Sequence, residues 1–212
     1  REWSRGLGDV YKRQPIAEAV HRNMRAVGMP EWSDDDETFA RAFQEFMGAD
    51  EITGLKTEVD DIGVPREEPK SGGSDDIGDV SWNVPTVTLR FPSNIGGATF
   101  HHWSSGIAMA TPIAHKGATA GAKVVAATML DLIQDDDLVG DAWEYFRDEQ
   151  SANETYVPFI SDEDMPAIEK NAEIMGRYKE ELSNYYYDPS KYDTYLEQLG
   201  VDYPQLEDPD AE

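Results

Sequence analysis

Apolar residues recur at spacings of three and four from residue 15 onward, with Ile16, Ala19, Val20, Met24 and Val27 on one helical face and Gly28 as the stop. The period returns after Ser33, a natural cap, where acidic residues fill the first turn and Phe39, Ala42, Phe43 and Phe46 share a face that ends at Gly48. Residues 57–73, rich in Pro, Gly, Glu and Asp, read as a solvated loop. At 84–91 the period changes to two, which predicts a strand ending before Pro92, fed by a glycine- and carboxylate-rich loop over 72–83. A Ser-Asn-Ile-Gly-Gly turn leads to a short extended piece over 98–103, and Pro112 opens a long helix over 111–134. Gly117 and Gly121 are costly inside a helix, so they are expected to admit a close neighbour, and the small residues around them predict a buried helix. Past residue 150 the pattern weakens to a charged helix over 164–185 and a short helix after Asp188-Pro189. Tyr185, Tyr186 and Tyr187 are expected to pack the tail onto the main domain rather than to stack on a ligand.

Composition narrows the function classes. A chain of 212 residues can bury a sizeable core, and without cysteine it has neither disulfides nor thiolate metal ligands. No apolar run reaches membrane-spanning length and no secretory signal pattern is present, so no membrane partner is expected and a cytoplasmic location is the default. A formal net charge of −25 excludes nucleic acid as a partner, because a phosphate backbone requires a basic patch. The acidic runs at 33–37 and 135–137 lack the alternating donors and turn glycine of a calcium loop and read as solvated surface. No nucleophile elbow, Walker loop or dinucleotide fingerprint occurs. The first fourteen residues are set apart, with Arg1, Arg5, Lys12 and Arg13 against only Glu2 and Asp9. Residues 9–14 resemble the translated end of a transposase sequence used in preparing sequencing libraries, so 1–14 are read as a non-native segment.

Candidate chemistry concentrates between Gly72 and Leu132. A loop holding Ser74, Asp76, Gly78, Asp79, Val80, Ser81 and Trp82 precedes the expected strand, followed by His101, His102 and Trp103, then Ile113 through Gly117 with His115 at the helix start. Imidazole and carboxylate are ligands that zinc accepts, although an isolated His is more often structural. If 98–103 is extended, His101 and His102 point to opposite sides and only one can face a metal. Asp76 and Asp79 have two open readings: a hydrogen bond that orients a liganding His from behind, or an Asx-type turn with Ser74 and Asp75. His115 reads first as structural and second as a substrate contact, and His21 as structural.

These ordered segments, with Gly28-Met29-Pro30-Glu31-Trp32 upstream, resemble the carboxypeptidase-G/aminoacylase family of dinuclear zinc amidohydrolases, most closely its p-aminobenzoyl-glutamate hydrolase branch. That branch carries Ser-Thr-Asp-Val-Gly-Asp-Val-Ser-Trp, then Leu-His-Thr-Trp, then Ile-Ala-His-Lys-Gly, so His102 stands where relatives have Thr or Ser. The resemblance, which covers residues 15–150, implies an α/β fold, a mixed sheet flanked by helices, with 15–150 the C-terminal half of the catalytic domain; residues 151–212 read separately as an acidic, aromatic-containing helical tail. It implies His101 as ligand to one of two zinc ions, replaceable by manganese or cobalt, with Asp76, Asp79, His102 and His115 either supporting the ligand from behind or forming the substrate loop. The general-base Glu and the remaining ligands would lie in an N-terminal half outside this chain, as would the domain that makes the parent a homodimer. The expected function is hydrolysis of a small-molecule amide, an N-acyl amino acid or p-aminobenzoyl-glutamate-like compound, by the parent enzyme, with the chain alone inactive. The alternative is a non-catalytic acidic α/β binding subunit.

Overall fold

The computed structural model describes residues 14–62, 76–99, 101–153 and 155–204. They fall into two units, Arg1–Val157 and Pro158–Glu212. In the first, α1 (Pro15–Val27) begins with proline at its N-terminus, where a missing N–H costs nothing, and ends at Gly28, whose φ of 75° suits glycine and whose N–H donates to the Met24 carbonyl at 2.8 Å. Helix α2 (Asp34–Phe46) starts from a reciprocal capping box: the Asp36 N–H donates to Ser33 Oγ at 3.2 Å and the Ser33 N–H to Asp36 Oδ2 at 2.9 Å. The short α3 (Ile77–Ser81) and α4 (Trp103–Met109) precede α5 (Pro112–Gln134). Asp135 then caps α6 (Asp136–Tyr145), its Oδ1 accepting from the Leu138 N–H at 3.0 Å, and a π-helical turn, Phe146–Gln150, follows. Both acidic runs thus sit at helix N-termini, where carboxylates meet the positive end of the peptide dipoles.

Helix α5 is the spine of this unit, 23 residues and so about 35 Å long. It lies against α1, α4 and α6. Ile113, near its start, joins Ala40, Phe43, Leu55, Ile95 and Ala108 in one apolar cluster. Val124, three turns on, joins Ile16, Val20 and Ala142 in a second. Between them Gly117 and Gly121 let the chain at 91–93 cross the helix closely: a Cβ on Gly117 would lie 1.9 Å from the Pro92 carbonyl oxygen. The expectation of a buried helix holds for the face carrying Ile113, Gly117, Ala120 and Val124 and is corrected for the opposite one, where Val125, Met129 and Ile133 are 46%, 56% and 72% exposed.

Among the described residues no β-strand forms, and this overturns the expected α/β architecture with its mixed sheet flanked by helices. Residues 84–91 are extended, but a ladder needs a second extended segment beside the first, and what lies beside this one is helical. Val87, Leu89 and Phe91 pack on the cluster of α1, α5 and α6, while Thr88 and Arg90 face outward. The Thr86 carbonyl accepts from the side-chain amide of Gln14 at 3.0 Å instead of from a neighbouring strand. The period of two therefore marked which side chains reach the core and not a pairing partner. Two smaller expectations also change. Part of the loop expected over 72–83 is helical as α3, and Phe46, expected on the buried face of α2, is 73% exposed because Asp36, Ala40 and Phe43 form that face.

The second unit contains a 3-10 turn, Ile168–Asn171, then α7 (Ala172–Ser183) and α8 (Tyr195–Leu199), and none of its described residues is buried. Local polar contacts order its middle. The Tyr187 hydroxyl donates to the Tyr192 carbonyl at 2.7 Å, and Gln198 bridges the Asp188 N–H and the Tyr186 carbonyl. The Lys191 ammonium, 2.7 Å from Asp188, together with Ser190, holds the Asp188 carboxyl down at about 2. A carboxyl depressed below its unfolded value of about 3.9 contributes order that is complete above that value and disappears as pH falls through its folded one. Amide and carboxyl NMR signals of residues 188–192 are accordingly expected to hold steady from pH 7 to about 4 and to move only near pH 2, with Asp188→Asn removing the transition. A midpoint near 4 would show that these contacts do not persist in solution.

Candidate functional site

The His101-His102-Trp103 segment is shaped by the start of α4. His102 is its N-cap: Nδ1 accepts from the Ser104 N–H at 3.3 Å and lies 2.9 Å from Ser104 Oγ. A ring nitrogen that accepts a main-chain N–H is the unprotonated one, so neutral His102 carries its proton on Nε2. The turn closes through Ser105 Oγ, which donates to the Thr99 carbonyl at 2.9 Å. His101 takes up the reversal, with a φ of 56° in the left-handed region that non-glycine residues seldom occupy. Residues 101 and 102 form a turn where an extended piece was expected, and the two imidazoles are distinguished by capping rather than by strand alternation. Trp103 lies beside them, its ring 4.8 Å from that of His102 and 6.2 Å edge-on from Phe46. His101, His102 and Trp103 are all exposed.

Asp76 precedes α3 and makes no capping bond with its side chain. Asp79, exposed on α3, accepts from the Tyr156 hydroxyl, and this bond raises the Tyr156 phenol above its ordinary value. Helix α3 is tied further to the end of the π turn by Gln150 Nε2, which donates to the Ser81 carbonyl at 2.6 Å. The hydrogen-bond partner of Asp79 is thus a phenol and not an imidazole. Ser74 and Asp75, the rest of the possible Asx turn, lie outside the described residues.

In the Ile113–Gly117 segment most side chains have packing roles. Ile113 and Ala114 are buried, Gly117 lies under Pro92, and Lys116 Nζ pairs with the buried Asp36 carboxylate at 2.5 Å. His115 is exposed and Lys116 is half-buried. The Asp36–Lys116 pair joins residues 80 positions apart and no sequence pattern announced it; the one hint was a lysine embedded in a small apolar helix start. His21 also has a structural partner, its Nε2 standing 2.9 Å from the Asp60 carbonyl.

A hydrolytic zinc needs at least three protein ligands. Among the described residues no three His, Asp or Glu side chains stand together as a metal-binding group.

No protein-family model and no solved structure matches the chain. Among curated proteins it is similar to a subunit of p-aminobenzoyl-glutamate hydrolase from Escherichia coli (strain K12), with 25% identity over 146 residues that cover 58% of this chain and 30% of that protein. The chain therefore spans under a third of the length of the relative it matches, and the likeness points to a distant relation with a hydrolase of that kind.

Proposed function

We propose that this chain contributes the His101 segment of a metal-dependent amidohydrolase acting on an N-acyl amino acid or a p-aminobenzoyl-glutamate-like amide. The observation that carries the reading is the order of three motifs, at 76–82, 101–103 and 113–117, in a chain 25% identical to part of a hydrolase of that name. Cleaving an unactivated amide requires a nucleophilic water at neutral pH and a stabilised oxyanion, which a pair of metal ions supplies. In this reading His101 offers one imidazole, since among the described residues no hydrogen bond engages its ring. Zinc, or manganese or cobalt in its place, would be completed by ligands and a general-base Glu from polypeptide outside these 212 residues. His102, with Nδ1 held by Ser104, presents Nε2–H as a hydrogen-bond donor to substrate.

The 212-residue chain alone is then expected to release no aminobenzoate from p-aminobenzoyl-glutamate in the presence of Zn2+ or Mn2+. Turnover that a chelator abolishes would overturn this division of labour. In a Zn2+ titration of a longer protein that also supplies the remaining ligands, His101→Ala is expected to remove the binding response and His115→Ala to leave it. A response that survives His101→Ala and vanishes in His115→Ala would move the ligand to α5.

A further inference from the structure

Away from the histidine pair, a cleft of about 440 Å3 opens between α1, residues 56–62 and the extended segment 87–92. That volume lies within the range of pockets that take small molecules. Val20, Met24, Val87 and Leu89 line it with apolar surface. The rim is polar, and most of its charges are already matched: Lys56 pairs with Asp60, Asp61 with Arg25, and His21 is held by the Asp60 carbonyl. Arg90 differs. It is exposed, lines the cleft, and has no ion pair or hydrogen bond among the described residues.

We propose that this cleft binds a small organic carboxylate, its apolar body on Val20, Met24, Val87 and Leu89 and its charge on the Arg90 guanidinium. Guanidinium and carboxylate match as a planar, two-bonded pair, and the apolar floor supplies a desolvated surface beside it that strengthens the contact. Glu58 on the same rim acts against the bound charge and limits affinity. The site is independent of the hydrolytic reading, since none of its residues belongs to the three motifs.

The test uses the 212-residue chain with benzoate as probe, benzamide as its neutral counterpart and acetate as the charge without the body. Methyl NMR is expected to show saturable benzoate-induced shifts at Val20, Met24, Val87 and Leu89. Benzamide and acetate are expected to bind at least about tenfold more weakly. Arg90→Gln, a change at an exposed side chain, should lower benzoate affinity about tenfold without altering that for benzamide, whereas Glu58→Gln should raise benzoate affinity about threefold. Absence of saturable shifts at these methyls, equal binding of benzoate and benzamide, or unchanged benzoate affinity in Arg90→Gln overturns the proposal.

Discussion

Gly117→Ala is expected to destabilise the first unit by about 3 kcal/mol, read as a fall in the urea midpoint with an unchanged slope. The added methyl would stand 1.9 Å from the Pro92 carbonyl oxygen and 2.7 Å from Ser93 Cα. Both are backbone atoms, so relief requires moving the whole 91–93 crossing rather than swinging a side chain. Alanine is the better helix former by about 1 kcal/mol, and that gain is already too small to offset the clash. Gly121→Ala supplies the internal control. Its nearest neighbour would be Phe91 Cβ at 3.3 Å, a side chain that can yield by a few tenths of an ångström, so the helix gain and the crowding are expected to leave stability nearly unchanged. If the two variants unfold alike, the 91–93 segment is not held against α5 in solution.

Lys116→Met is expected to cost about 2–3 kcal/mol by the same measurement. The Asp36 side chain is 1% exposed and remains charged at neutral pH only where hydrogen bonds and a counter-ion replace the water it has lost. Removing Lys116 takes away the counter-ion and leaves the desolvation. The expected loss is set below the range for a fully buried pair because Lys116 is itself 37% exposed and partly screened. A double-mutant cycle separates the ion pair from simple packing. In the Lys116→Met background, Asp36→Asn removes a buried charge that has lost one of its partners, so the double variant should be more stable than the sum of the single effects predicts, by at least about 1 kcal/mol. Strict additivity would mean that the two groups do not interact.

Both tests concern the start of α5, where the Ile113–Gly117 motif lies. Four of its five residues are accounted for by burial, close approach or the ion pair, and the exposed His115 is the remaining one. A motif shared with a distant hydrolase thus carries mostly packing information. This is why the functional reading rests on the order of three motifs rather than on this one.

Helix boundaries were legible in the sequence because their causes are local. Ser33 and Asp36 are three residues apart, Gly28 acts at its own φ, and Pro112 acts at the first turn it occupies. The need for glycine at 117 was likewise visible, since its cost inside a helix calls for a compensating neighbour. The alternation over 84–91, read as a strand, coincides in the structure with the separation of inward Val87, Leu89 and Phe91 from outward Thr88 and Arg90. Tertiary structure decided the rest. Whether that segment pairs as a strand depends on what lies beside it, and helices lie there. The partner of Asp36 is 80 residues away, and the turn at His101 follows from how α4 is launched and capped. Periodicity and capping report the free energy of a few neighbouring residues, whereas sheet pairing, buried charge and the facing of an imidazole depend on segments that meet only once the chain has folded.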